Sequence, residues 1–266
     1  MPDVTLSPFG ERLRAWRKRR GLSQMDLAIE ADSTPRYISF IETGRSRPGR
    51  ELVLRLVEAL QLSLRDGNAL LMAAGLRPVY TEHDLDAEAM RPVREIVERV
   101  LENHEPYPAF VFAPGLRVLR TNRTGERLFP GMTQLEPAQL IALWCSPQPG
   151  VPEAEVRAAA YQVVAVLRRE LFAHPHPDIP ALLEQAESLA KALGPAPPAL
   201  DVLERDEVVM GGTVRLAPGR EVPTIATVLR FDKPLDVTVA ELRVELIFPA
   251  DDEADAFFRS LGSAAS

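Results

Sequence analysis

From Pro8 to Ala74 apolar residues recur at three- and four-residue steps, and polar caps or turn residues interrupt them at short intervals. That pattern predicts five helices, at roughly 8–20, 24–31, 35–43, 50–60 and 64–74. Ser23 is placed to cap the second, with Asp26 three residues on to answer it as a capping box. Thr34 caps the third and Pro35 occupies its first turn, where a missing N–H costs nothing. Ser63 with Asp66 repeats the capping signal, and Gly44 and Gly75 suit the left-handed residue that ends a helix. Leu27, Ala28, Ala31, Ile38 and Ile41 form an inward face, which leaves Arg36, Tyr37, Ser39 and Phe40 on the outer side or its margins.

Beyond Leu76 the pattern changes. Arg77-Pro78 stops helical structure, and 79–85 reads as a linker. A helix is expected at 86–102, where Pro92 either kinks it or marks its true first turn. Strand signals follow at 109–112 and 116–121, with Ala113-Pro114-Gly115 as the turn between them. Asn122 is placed to cap a short helix at 123–128. Longer helices are predicted at 136–144, 153–174 and 179–193, ended by Gly194-Pro195-Ala196-Pro197-Pro198. The last third returns to strands at 207–216, 225–231 and 241–248. There 216–220 reads as a hairpin turn, and Gly211-Gly212 as a bulge or a backbone close to a ligand.

Charge separates the two parts. Residues 1–77 hold 13 Lys/Arg against 9 Asp/Glu, a net of +4 in a chain whose total is −7. Arg12, Arg14, Arg17, Lys18, Arg19 and Arg20 make the first helix basic, and Arg45, Arg47 and Arg50 flank the third. A helix-turn-helix pattern carrying the positive charge of an acidic protein points to phosphate neutralisation, hence to double-stranded DNA. The alternative is a small helical bundle that binds protein.

Ser23-Gln24, Leu27-Ala28, Ile38, Ile41-Glu42 and Gly44, then Arg47-Pro48, Leu52, Leu56, Ala59 and Leu60, resemble the phage-repressor-like helix-turn-helix family, also called the xenobiotic response element (XRE) family. The resemblance implies a second helix lying in the major groove. Its readers would be Pro35, Arg36, Ser39 and Phe40, with Tyr37, Arg45 and Arg47 beside them and Gln24 and Thr34 on phosphate. Arg36 is the leading candidate, since a guanidinium bonds guanine O6 and N7 together. The turn position usually held by glycine is Asp32, a residue type that tolerates a left-handed backbone.

Two strands, helices, then three antiparallel strands is the order of a PAS domain. Glu105-Pro106-Tyr107-Pro108-Ala109-Phe110-Val111-Phe112, Val118–Arg123 and the segment Phe231–Pro249 resemble the ligand-binding domain of MmyB-like transcription regulators. Together the readings give an all-α five-helix helix-turn-helix domain at 1–77, a linker and connecting helix at 78–104, and an α+β PAS-like domain with an antiparallel sheet at 105–266. The resemblance implies a small hydrophobic, fatty-acid-like ligand that modulates operator binding. Tyr107, Phe110, Phe112, Val118, Asn122, Leu128, Phe129, Leu140, Trp144, Tyr161, Val164 and Leu167 are candidate lining. Arg168, Arg169 and Arg230 are candidate partners of a carboxylate. A homodimer on a pseudo-palindromic operator is expected, because half-sites lie about one turn, roughly 34 Å, apart. The alternative is a second domain that only dimerises or binds a protein.

Other chemistry has thin support. His174-Pro175-His176-Pro177-Asp178 offers an H-x-H pair and a carboxylate, but prolines place it in a loop and no further ligand follows by spacing, so no metal site is expected. Cys145, the single cysteine, rules out an intramolecular disulfide and reads as core. His104 is a haem-ligand candidate only by its position near the start of the second domain. No nucleophile elbow, phosphate loop, dinucleotide fingerprint or zinc-protease motif is present, so a helix-turn-helix fused to an enzyme is the weakest reading. No apolar run reaches the ~18–20 residues of a membrane span. A cytoplasmic regulator without a certain cofactor is the expectation.

Overall fold

A computed structural model describes residues 7–147, 150–173, 176–196, 211–217 and 220–263. The chain divides into two compact units. The first runs up to His83 and takes in Lys233–Ala240; the second holds Asp84–Asp232 and the chain from Glu241 onward.

The first unit contains the five predicted helices, α1 Pro8–Arg19, α2 Gln24–Glu30, α3 Pro35–Glu42, α4 Arg50–Ala59 and α5 Leu64–Ala73. The caps are where the sequence puts them. Ser23 Oγ accepts from the Asp26 amide at 3.1 Å, and Asp26 Oδ2 accepts from the Ser23 amide at 2.8 Å. Ser63 Oγ accepts from the Asp66 amide at 3.1 Å. Asp32 makes the α2–α3 turn at φ 46, the left-handed conformation expected of it. Leu13, Leu27, Ala28, Ile38, Ile41, Leu56 and Leu71 are fully buried and close one core around all five helices. At about 25 cal/mol per Å² of apolar surface this core is the main stabilising term of the unit.

The stretch read as a linker is instead tied down. Asn68 Oδ1 accepts from the amides of Val79 and Tyr80 at 3.0 and 3.1 Å, and Asn68 Nδ2 donates to the Tyr80 carbonyl at 2.8 Å. Thr81 pairs with Asp236 in a parallel bridge, and Asp236 Oδ2 lies 2.8 Å from His83 Nδ1. A turn-and-extended composition looked like a linker because the partner residues lie far along the chain.

The second unit opens on a short 3-10 turn and α6 Arg91–Asn103, with Pro92 in its first turn rather than at a kink. The sheet strands are β1 Ala109–Ala113, β2 Arg117–Thr121, β3 Gly211–Ala217, β4 Arg220–Leu229 and β5 Arg243–Pro249. Between β2 and β3 come α7 Arg123–Leu128, α8 Pro137–Trp144, α9 Glu153–Ala173 and α10 Ile179–Ala192. A short α11 Val237–Glu241, all but its last residue in the first unit, precedes β5 in the chain, so the strand expected at 241–248 begins two residues later, and α12 Asp252–Ser263 follows it. The sheet order is β2-β1-β5-β4-β3, antiparallel throughout. Gly211 and Gly212 sit in regular pairs with Ile225 and Thr224, and the irregularity falls at Arg215/Ala217, so no bulge lies at the two glycines.

Register decides which side chains share a face. Phe112 pairs with Arg243, Phe110 with Glu245, and Val228 with Glu245. Directly opposed residues point the same way, so Phe110, Phe112, Arg243, Glu245 and Ile247 share one face. Phe110, Phe112, Val118, Met132 and Leu140 pack together there, with Phe129, Leu135, Trp144 and Ile247 against them. The helices α8, α9 and α10 close a second cluster around Ile141, Val164, Leu167 and Ile179.

Candidate functional site

In the helix-turn-helix, a buried ion pair sets the helices. Arg17 on α1 donates through Nε to Glu42 Oε1 at 2.6 Å and through Nη2 to Glu42 Oε2 at 3.1 Å. The same Oε2 accepts from Gln24 Nε2 at 2.8 Å. One carboxylate thus joins the first helix, the start of the second and the end of the third. Hydrogen bonding to Glu42 raises the pKa of Arg17 against the opposing cost of burial. Arg17, read from sequence as one of a basic surface row, is therefore structural, and the Gln24 amide expected on phosphate already spends one donor internally. Gly10 lets α1 approach closely: a Cβ there would lie 2.2 Å from the Glu42 carbonyl oxygen.

The third helix presents its start to solvent. Thr34 Oγ1 caps the Tyr37 amide at 3.2 Å. Arg36 is exposed and its guanidinium lies 5.3 Å from the centre of the Phe40 ring. Tyr37 Oη donates to the Arg47 carbonyl at 3.4 Å, tying α3 to the loop after it. Pro35, Ser39 and Phe40 are half-buried, and Arg45 and Arg47 are exposed. Thr34, Pro35, Arg36, Tyr37, Ser39 and Phe40 are thus on one short helix, flanked by two exposed cations.

The candidate lining of the second unit separates into groups. Phe110, Phe112, Val118, Phe129, Leu140 and Trp144 come together on the sheet face. Tyr161, Val164 and Leu167 belong to the helical cluster, with Trp144 touching both. Tyr107 and Leu128 pack elsewhere, with Val222, Ala254 and Phe258. The Tyr107 hydroxyl is engaged by Asp255 and Arg259. Asn122 is a scaffold residue. Its Oδ1 accepts from the Ala109 and Gly125 amides at 3.1 and 2.9 Å, and its Nδ2 donates to the carbonyls of Leu101 and Tyr107 at 3.3 and 2.8 Å. Arg168 is on the outer side of α9, paired with Glu187 at 2.6 Å, and Arg169 is exposed. Two clefts, of about 440 and 580 Å³, lie near Asn122 and are lined mainly by polar and charged groups including Arg120, Arg123 and Glu126 or Glu98 and Glu105. The aromatic face is not among their walls.

Arg243 was not singled out by sequence reasoning. It lies opposite Phe112, its guanidinium 5.7 Å from the ring centre. Glu170 of α9 accepts from the Gly115 amide at 3.1 Å and holds Oε2 3.4 Å from Arg243 Nη2. Arg230 is exposed at the end of β4; the burial it does have, and then Arg243, push its pKa down while Glu170 opposes. The signal available was the alternation of β5, which puts two charged residues, Arg243 and Glu245, on the face shared with Phe110 and Phe112.

Burial pushes the His104 imidazole down, and its Nε2 is 2.9 Å from the Ile247 carbonyl, the nitrogen a haem would need. Cys145 is buried and burial raises its thiol. Among the described residues no group of three or more His, Cys, Asp or Glu is placed to hold a metal; His174 lies outside them.

A helical DNA-reading unit joined to an α+β unit with one antiparallel sheet defines a helix-turn-helix regulator with a ligand-binding domain. The description "MmyB-like transcription regulator ligand binding domain" matches residues 93–261, and "Helix-turn-helix domain" matches 8–70. The chain belongs to the family of MmyB-like transcription regulators. It is a transcription regulator and not an enzyme. Two crystal structures of the clp gene regulator ClgR from Corynebacterium glutamicum are similar to it. One is 29% identical over 28% of this chain and 92% of that one, with a TM-score of 0.23. The other is 28% identical over 38% and 93%, with a TM-score of 0.23. No curated protein gives a match. Among the described residues no helix is long and apolar enough to cross a membrane.

Proposed function

We propose that the chain is a sequence-specific, dimeric DNA-binding regulator whose second unit takes a small apolar ligand, fatty-acid-like in kind, that changes operator affinity. The sheet order β2-β1-β5-β4-β3 supports the PAS-like reading of that unit. The observation that carries the ligand reading is the aromatic layer of Phe110, Phe112, Phe129 and Trp144 on the same sheet face as an arginine. An apolar wall with a few placed polar groups is the ordinary make-up of a small-molecule site.

On the DNA side Arg36 reads a base edge in the major groove, with Ser39 and Phe40 beside it and Arg45 and Arg47 on phosphate. Gln24 keeps its remaining amide proton for a phosphate while Glu42 orients it. The ligand acts by favouring one arrangement of the sensor over another, which alters the spacing of two reading helices in the dimer. It can shift operator binding only by its difference in affinity for the two arrangements.

The test is mass spectrometry of purified full-length protein, native and then denatured, followed by operator binding with and without the released compound. A released lipid-sized acid that changes operator affinity supports the proposal. Protein that binds its operator equally with and without saturating dodecanoate, and releases nothing, leaves a dimerisation or protein-binding domain.

A further inference from the structure

The chain passes between the two units at 83/84, at 232/233 and at 240/241. The last two passages bracket Lys233–Ala240, which joins β4 to β5 yet belongs to the first unit. β5 is the middle strand of the sheet, paired with β1 on one side and β4 on the other. Antiparallel neighbours such as β4 and β5 can be joined by a tight turn, so building the sheet does not require this excursion.

One side chain fastens the crossover. Asp236 is buried, at 9% exposure. Its Oδ2 accepts from the His83 amide at 3.2 Å and lies 2.8 Å from His83 Nδ1. Its Oδ1 accepts from the Thr238 and Val239 amides at 2.9 and 3.4 Å, which caps α11. The Val237 amide donates to the Thr81 carbonyl at 2.8 Å, and Val237 and Val239 are buried. Burial alone would raise the Asp236 carboxyl, and the bonds from His83, Thr81 and the two amides hold it below the ordinary carboxylate range. A buried carboxylate satisfied on both oxygens is a fixed point of the fold. Its partner segment is fixed as well, because Asn68 of α5 holds Val79 and Tyr80 through both ends of its amide. Leu70 and Leu71 of α5 share one core with Ile38 and Ile41 of α3.

The two ends of the crossover differ in stiffness. On the entry side Lys233 stands at φ 51 and Leu235 is 80% exposed in irregular backbone. On the exit side only Leu242, itself buried, separates α11 from β5. No glycine or proline lies between Asp236 and Phe248. Loop residues absorb backbone rotation, and the entry side offers several where the exit side offers one.

We propose that the Lys233–Ala240 crossover is a strap that couples the sheet of the second unit to the DNA-binding unit. Asp236 fixes the strap to the segment held by α5, and α11 carries displacement into and out of the middle strand β5. The coupling is reciprocal, as linkage requires. It needs DNA binding by the first unit and no particular ligand of the second, so an effector of any chemistry that moves β5 is read through Asp236.

The experiment is hydrogen exchange of the full-length protein with and without an operator duplex selected from a random DNA pool. In wild type the operator should slow exchange in α11 and β5 by about fivefold or more, the low end of ordinary coupling, and leave α10 unchanged. Asp236→Ala should still bind the operator but show no slowing in β5. Val237→Pro makes the same test with the carboxylate kept, since proline suits the first turn of a helix but cannot donate to Thr81. Ala240→Gly with Glu241→Gly keeps the clasp and softens the exit, so slowing should persist at Val239 and vanish in β5. Leu235→Ser, on the entry side, should behave as wild type. An operator that leaves β5 exchange unchanged in wild type overturns the proposal. So does equal slowing of α10 and β5, which is stabilisation of the whole chain, and so does wild-type slowing of β5 in the Asp236 and Val237 variants. Should neither of these fold, the paired glycine variant decides, and full slowing of β5 there overturns the strap.

Discussion

Arg17 and Glu42 lie 25 residues apart in sequence and share two hydrogen bonds in the core of the helix-turn-helix, at 2.6 and 3.1 Å. Their side chains are 10% and 3% exposed. Removing one member of such a pair leaves the other charged and unpaired in a low-dielectric site. Glu42→Ala should therefore cost about 3–5 kcal/mol in urea unfolding of the whole chain. Replacing both, Arg17→Met with Glu42→Leu, should recover much of the loss, because burial of apolar groups avoids the desolvation cost. If the double variant is no more stable than Glu42→Ala, the pair is not acting as a coupled unit.

The same crossing gives a sharper steric prediction. A Cβ on Gly10 would meet the Glu42 carbonyl oxygen at 2.2 Å and the Ile41 carbonyl oxygen at 2.9 Å, both backbone atoms that cannot step aside. Gly10→Ala should destabilise by about 3 kcal/mol or more, at the upper end of overpacking costs. Gly21 is the control. It sits at φ +70 with nothing within 4 Å of its Cβ position, so Gly21→Ala should cost only the backbone strain, about 1–2 kcal/mol. Thermal unfolding of the two variants side by side checks the order, and equal losses would contradict so close a crossing of α1 and α3.

What the sequence reveals here follows the range of the interactions. Ser23–Asp26, Ser63–Asp66, Asn122 at the head of α7 and Asp32 in the turn are local devices, and each is readable from a few neighbouring residues. Arg17 with Glu42 is not local, so a buried arginine looked like one more surface cation. The clasp of Thr81 and His83 on Asp236 spans more than 150 residues and made a packed stretch look like a linker. Arg243 was missed for a related reason. Only the register of β5 against β1 shows that a charged residue shares a face with Phe112. Arg168 was overvalued because helical spacing does not say which side of α9 faces the sheet.

His104 predicts a pH effect. It is buried, and burial lowers its pKa below the ordinary 6.5 although the Ile247 carbonyl and Glu105 work the other way. The unfolded chain then binds its proton at a higher pH than the folded one does. Stability is fully present above about pH 6.5 and is lost as pH falls toward the folded-state value. His104→Gln, which keeps a donor for Ile247, removes this dependence. Urea unfolding of wild type and His104→Gln near pH 7.5 and near pH 5 should show wild type losing more on acidification. Parallel losses would mean that His104 does not contribute to the acid sensitivity.

Arg36 separates base reading from phosphate binding. Its guanidinium is exposed at the first turn of α3 and rests near the Phe40 ring, which limits the directions it can take. A bidentate contact to guanine is worth about 1–3 kcal/mol of discrimination, whereas a phosphate contact weakens all sequences alike. With an operator selected from a random DNA pool, Arg36→Ala should lose about 1–3 kcal/mol on that site and much less on unrelated duplex. The salt dependence of unrelated-duplex binding should stay that of wild type, since no phosphate contact is removed. Equal losses on both duplexes, with a shallower salt slope, would place Arg36 on the backbone. The reading role would then pass to Ser39 and Phe40 on the same helix.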